Sequence, residues 1–301
     1  PTLYGEHTPK STTAWASRIY ALALAQHVAK VWPHLARWAR QHPASLAQLT
    51  AGSAAKVGET SLWARQAHDM QQAAERMAQL MDPKWASHEM EKAVDELERM
   101  QLHDGGWPWY PSMPTSTYIT TRTATLLQRA QQLTPDTLVE RMLHNACAYV
   151  QCALQQEWRN MQQATPQAKP VVADEEPLHM FHLLSAHGDT LSAEADSLLA
   201  LALRHKGRLT LAHKARLALA AKQAGYTADA DTLLRSVLQY SVATPAEGRY
   251  FLSPRAKQMP HAYRIDAQCA AIVAIETAGM HREADEMRQW LLGARHGQQW
   301  L

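Results

Sequence analysis

The stretch Gln101-Leu-His-Asp104-Gly105-Gly106-Trp107-Pro-Trp109-Tyr110-Pro-Ser-Met-Pro114, continuing to Tyr118-Ile119-Thr120, joins two segments of helical pattern. Upstream, Met90, Val94, Leu97 and Gln101 fall at i, i+4, i+7 and i+11, the spacing of one helix face. Gly105 and Gly106 are free to take positive φ, which stops that helix. Asp104 is placed to accept from backbone N–H groups left over in the turn. Trp107, Trp109 and Tyr110 stand among prolines and carry a large aromatic area. Two roles are open to them: packing on the neighbouring helices to fix the connection, or forming an exposed contact surface. A second helix begins near Thr117.

Outward from this loop the pattern stays helical. Glycine is sparse, Ala, Leu, Gln and Met are abundant, and alternating β-branched runs are almost lacking, which predicts an all-α protein. Leu24, Val28, Val31, Leu35 and Trp38 form one stripe along a first helix that starts near Thr12 or Thr13 and kinks at Pro33. After a loop at about 42–58, further helices are predicted at about 60–81, 87–102, 117–132 and 136–164, then 175–187, 191–205, 209–224 and 228–242, and finally 262–278 and 281–295. Breaks fall at Gly188, Gly207, Gly225 and Gly279, and residues 165–174 and 244–260 read as Pro-containing connections. Helices joined mostly by short links, without a fixed-period repeat, favour a closed α/α ring over an open solenoid. A single domain over residues 1–301 is expected, since a closed ring of this length has room for one core.

Charge and cysteine content narrow the function. Thirty basic residues against 28 acidic ones leave a net of +2, and no run of Lys and Arg marks a nucleic-acid or anionic-membrane surface. Three cysteines, Cys147, Cys152 and Cys269, do not make a disulfide framework. Cys147 and Cys152 stand about 140° apart around one predicted helix and are not expected to bridge. No apolar run approaches the length of a membrane span. The chain opens at Pro1 without an initiator Met or signal peptide, which suggests a piece of a larger protein or a processed product.

Residues 97–120 resemble the signature of the thioester-domain region in bacterial alpha-2-macroglobulin-like proteins: a helix, Asp-Gly-Gly-Trp-x-Trp, an aromatic residue, Pro-x-Met-Pro and Tyr-Ile-Thr. Other stretches agree in the same order. Arg18-Ile-Tyr20-Ala-Leu-Ala-Leu-Ala25 is similar to the family's first toroid helix, and Glu59-Thr-Ser-Leu-Trp63, with the Gln-rich helix to Met81-Asp82, to its second unit. Arg264-Ile-Asp-Ala-Gln268 and Glu286-Met287-Arg-Gln-Trp290 resemble the closing helices, and Gln298-Gln-Trp300 the exit. The resemblance implies an α/α toroid of about six helix hairpins. It also implies a large exported protein that responds to protease cleavage of a bait segment and traps the attacker.

Most of that family carries a Cys-x-Glu-Gln turn ahead of the first helix, whose Cys and Gln form an internal thioester. Aligning on Arg18 and Tyr20 places Ser11-Thr12-Thr13-Ala14 there. No cysteine precedes Cys147, so acylation from this turn is excluded. Cys152-Ala-Leu-Gln155 repeats the outer spacing but lies mid-helix and lacks the Glu. The expected role is therefore noncovalent, in protease trapping or domain packing, with no catalytic residues, cofactor or metal. The implied partners are neighbouring domains of the parent protein, a protease or another envelope protein, in the periplasm or outer envelope.

Other chemistries find only partial motifs. His179 and His182 can share a helix face behind Glu175 and Glu176, but His187 falls well around the axis, so zinc is not expected. His88-Glu89 opens like a zinc-protease motif and fails at Lys92. Asp229-Ala-Asp231-Thr232 resembles part of the Asp-rich motif of terpene cyclases, which share the toroid and a Gln…Gly-x-Trp element like Gln101…Trp107. Acids in a first helical turn also simply complement exposed backbone donors. Asp104, Glu176 and Asp266 are the conceivable carboxylates of an α/α-barrel glycosidase, and aromatic loops also stack sugars. The alternatives are thus an envelope scaffold module and a carbohydrate- or isoprenoid-processing enzyme.

Overall fold

Helix starts coincide with side chains able to accept a backbone N–H. In the computed structural model, which describes residues 11–41, 76–163, 175–251, 261–296 and 299–300, Ser11 caps α1 (Thr12–Val31) by accepting from Ala14 N at 3.3 Å. Trp32 and Pro33 break the helix, and α2 (Pro33–Gln41) follows. Asp82 caps α3 (Pro83–Met100), its Oδ1 accepting from Lys84 N at 2.9 Å and Trp85 N at 3.1 Å. That cap starts the helix earlier than the expected 87, because Pro83 is suited to a first helical position. Ser116 caps α4 (Thr117–Leu133), and Asp136 opens α5 (Thr137–Gln163) by accepting from Leu138 N and Val139 N. Residues 76–80 are helical, while 60–75 of the expected second helix lie outside the described residues.

The chain is all-α and divides into two compact units, residues 1–149 and 150–301, with the boundary inside α5. In the first unit α1 packs on α3 and α4. Its buried face carries Trp15, Ile19 and Leu22 at i, i+4 and i+7, with Leu22 against Leu80 and Ala86. The apolar stripe Leu24, Val31 and Leu35 therefore faces out. Its Val28 and Trp38 members pack, against Ala36, Ala39 and Met81. Both sides of α1 are apolar, so periodicity alone does not choose the buried one.

The second unit contains α6 (Glu175–His187), α7 (Ala193–Arg204), α8 (Leu211–Gln223), α9 (Thr227–Gln239), α10 (His261–Thr277) and α11 (His281–Gly293). At its centre lies α8, whose Ala-rich surface lets α6, α7, α9 and α10 approach. It also buries two cations. Arg216 pairs with Asp266 on α10, while Lys214 donates to Ser236 Oγ at 2.9 Å and lies 5.5 Å from the Tyr240 ring. Gly225 shows how these helices end: with φ +90° it lets Tyr226 N–H reach back to Ala221 O at 2.8 Å.

Part of the expected connection at 244–260 is a small antiparallel hairpin, β1 (Ser241–Thr244) with β2 (Gly248–Phe251), registered Ser241 to Phe251 and Thr244 to Gly248. Tyr250 stacks on Trp290 of α11 at 5.8 Å, and Gln268 Nε2 donates to both Arg249 O and Met287 O. Four-residue strands are too short to display a period of two, which is why the sequence pattern passes over them. A second pair joins Arg295–His296 to Gln299–Trp300.

The orientation of α1 yields a direct test. Leu22→Ala, at a side chain with 0% exposure, is expected to cost ~2–5 kcal/mol in a urea titration, and Leu24→Ala, at 40% exposure, less than ~1 kcal/mol. Equal costs would overturn that orientation.

Candidate functional site: an aromatic loop clamped to the start of the first helix

The loop between α3 and α4 is held by its own polar groups. Gln101 ends α3, and its Nε2 donates to Gly105 O at 2.8 Å and to Met142 O of α5 at 3.0 Å. Gly105 has φ +87°, and a Cβ there would lie 2.4 Å from Asn145 O. Gly106 needs no positive φ; it is required instead by space, since a Cβ would meet Thr115 Cγ2 at 2.2 Å. Asp104 closes the turn as expected: Oδ1 accepts from Gly106 N at 3.1 Å and Oδ2 from Thr115 Oγ1 at 2.6 Å. With both oxygens engaged, Asp104 is a structural carboxylate.

The aromatic residues divide into a buried and an exposed set. Trp107 has 0% exposure, its Nε1 donating to Leu97 O at 3.0 Å and its backbone N–H to Thr120 Oγ1 at 2.8 Å. It packs. Trp109, Tyr110 and Met113 are exposed, and Trp109 stacks on Tyr118 with ring centroids 5.7 Å apart and planes 14° from parallel. Arg122, one helical turn on, lies 5.1 Å from the Tyr118 ring. Trp109, Tyr118 and Arg122 thus form a continuous stacked platform. Ser112, at φ +69°, carries the chain through the turn between Tyr110 and Met113.

The platform is joined to the turn that the resemblance aligns with the thioester motif. Thr12 N donates to Trp109 O at 3.2 Å, and Thr12 Oγ1 donates to Pro108 O. Thr12 is fully buried, while Ser11 is occupied as the α1 cap and Thr13 and Ala14 enter the helix. Among the described residues the Thr12 hydroxyl is bonded to a backbone carbonyl and closed from solvent. Exposed on the same loop and the start of α4 is the Trp109–Tyr118 stack, with the Arg122 guanidinium beside it.

Other candidate residues are spread elsewhere. Glu89 pairs with Arg18, and Asp229 with Lys206, while Asp231 lies exposed on α9. Asp266 is held by Arg216. His179, His182 and His187 lie along α6, with His187 Nδ1 at 3.0 Å from Asp189 Oδ2. Cys152 and Cys269 are exposed and Cys147 is buried, and none of the three is in a disulfide. Glu175 and Glu176 open α6.

One feature of the second unit has no sequence signature. A cavity of about 580 Å³ is lined by Ser185, Asp189, Thr190, Asp196 and Gln223, brought together by the turns after α6 and α8. Tyr226 O–H donates to both oxygens of Asp196 at 3.0 Å. That bond, aided by burial and by the charge of Asp196, raises the Tyr226 pKa above its ordinary 10. These residues are widely spaced in sequence and of common type, so only the folded turns disclose the cavity.

Compared with protein-family models and with curated proteins, the chain matches none.

Two outcomes are expected here. Trp107→Ala should cost ~3–5 kcal/mol by loss of buried area and of the bond to Leu97 O, whereas Trp109→Ala should stay within ~1 kcal/mol; melting of the two variants compares them. The raised pKa of Tyr226 means that its bond to Asp196 contributes stability that is full below pH 10 and is lost as pH rises through the folded-state value. Tyr226→Phe should remove that alkaline decline, read as urea midpoints on either side of pH 10.

Proposed function

We propose that the chain is a thioester-less α/α toroid domain of a bacterial alpha-2-macroglobulin-like envelope protein, acting without covalent capture in protease trapping or in packing against its neighbouring domains. The observation that carries this reading is the pairing of a sealed Thr12 with an exposed platform. The hydroxyl at the degenerate turn is buried on Pro108 O, while Trp109 of the same loop and Tyr118 of α4 face outward. Aromatic side chains with few torsions to freeze, beside an Arg, are the composition of protein contact hot spots.

Further support comes from the signature itself. The parts of residues 97–120 each have a structural role. Asp104 and Gly105 make the turn, Gly106 admits Thr115, and Trp107 and Thr120 lock the loop to α3 and α4. In the second unit α8 packs on α9 and α10 on α11, the pairing of stacked hairpins, while α8 also packs on α6 and α10. Asp104 and Asp266 are each committed to a structural partner, which disfavours a carboxylate-based enzyme.

The test uses the full parent protein, mixed with a broad-specificity protease and assayed on a bulky protein substrate and on a small peptide. Selective loss of activity on the bulky substrate, with intact protease released by denaturant, is the expected result. Trp109→Ala combined with Tyr118→Ala should weaken that protection without lowering the melting temperature. Unchanged activity on both substrates sinks trapping and leaves the scaffold role.

A further inference from the structure

We infer that the corner between α1 and α2 is a docking surface for an anionic lipid bilayer. Six consecutive residues, 30–35, are exposed: Lys30, Val31, Trp32, Pro33, His34 and Leu35. Such a run does not occur on a helix lying flat on a core, because every third or fourth residue then turns inward. Here the break at Trp32 pushes the corner out, leaving Val31, Trp32 (57% exposed) and Leu35 in solvent. Leu24 extends the same apolar side two turns back along α1.

Within residues 11–41 the charge has one sign. No Asp or Glu occurs anywhere from residue 11 to 41, whereas Arg18, Lys30, Arg37 and Arg40 do. Arg18 is neutralised by Glu89 on α3. Lys30, Arg37 and Arg40 are exposed and make no ion pair among the described residues; Arg37 contacts His34 Nδ1 at 2.9 Å and Arg40 donates to Ala36 O. The result is an exposed apolar wedge with an indole at its tip and cations on its flanks.

That combination selects the partner. A second copy of the chain would bring the same cations against themselves. A bilayer of acidic headgroups satisfies them all, while the acyl boundary takes Val31, Trp32 and Leu35, and Trp is the side chain most suited to that depth. Lys and Arg stems reach back to the phosphates from such a position. A flat, deformable surface also needs no matching pocket for a protruding corner. Among the described residues no helix is long and apolar enough to cross a membrane, so the contact is peripheral. The corner belongs to the first unit alone, and its role is independent of trapping.

The full chain is tested by flotation with vesicles of equal parts phosphatidylglycerol and phosphatidylcholine, and with phosphatidylcholine alone. Binding is expected at least ~10-fold tighter on the anionic vesicles and weaker as salt is raised. Trp32→Ser with Leu35→Ser, and separately Lys30→Glu with Arg37→Glu, should each reduce partition by ~10-fold or more. Their melting temperatures should stay at that of the wild type, because all four side chains are exposed. Equal partition on the two vesicle types, or no loss in either variant, refutes the assignment. A Trp32-dependent dimer without vesicle binding gives the corner to a second copy instead.

Discussion

The burial of Trp107 is the constraint from which the first unit is arranged. An indole removed from water contributes about 2–3 kcal/mol, but only if its N–H is not left without an acceptor. Leu97 O, near the end of α3, supplies the acceptor, and Thr120 holds the Trp107 backbone from the first turn of α4. One residue thereby fixes the relation of the helices on either side of the loop. The small residues follow from it: Gly106 admits Thr115, and Gly105 passes beneath Asn145 of α5. The exposed platform depends on the same anchor, because Trp109 lies two residues from Trp107 and is stacked on Tyr118.

The start of α1 shows what this arrangement excludes. Pro108 and Trp109 each present a carbonyl to Thr12, so the turn before α1 is built into the loop by a backbone bond as well as by the buried hydroxyl. A reactive centre needs a group held apart from such partners, and here the polar capacity of Thr12 is spent on structure. The same loop thus has a sealed side and an exposed side.

Most helix boundaries were legible because caps and breakers act locally. Ser116 and Asp136 each sit just before a helix, and Gly188, Gly225 and Gly279 fall where helices stop. The role of Asp104 was legible for the same reason: its acceptor atoms serve groups only two and eleven residues away. Two kinds of information were not. Which side of α1 is buried depends on what α3 and α4 offer, and Leu22 and Leu24 look alike until those helices are placed. The division of the aromatic loop is similar, since Trp107 and Trp109 share composition and flanking prolines and are told apart only by reach to Leu97 O. The cavity at Asp189 and Asp196 is a property of turns packed together, which no linear spacing encodes.

Net charge conceals a further part of the organisation. The overall balance of +2 comes from segments that differ sharply. Residues 11–41 hold four cations and no acid, whereas Asp82, Glu89, Glu91, Asp95, Glu96 and Glu98 crowd the start and length of α3. Arg18 and Glu89 join these two groups as an ion pair, and it lies in the buried half of α1. The remaining cations stand beyond it, around the outward turn at Trp32. Electrostatic attraction at a surface falls off within about 10 Å at ordinary salt, so a partner meets the local sign of the corner rather than the average of the chain. A nearly neutral composition is therefore compatible with a locally basic segment, and the fold turns much of the apolar stripe of α1 outward beside its cations.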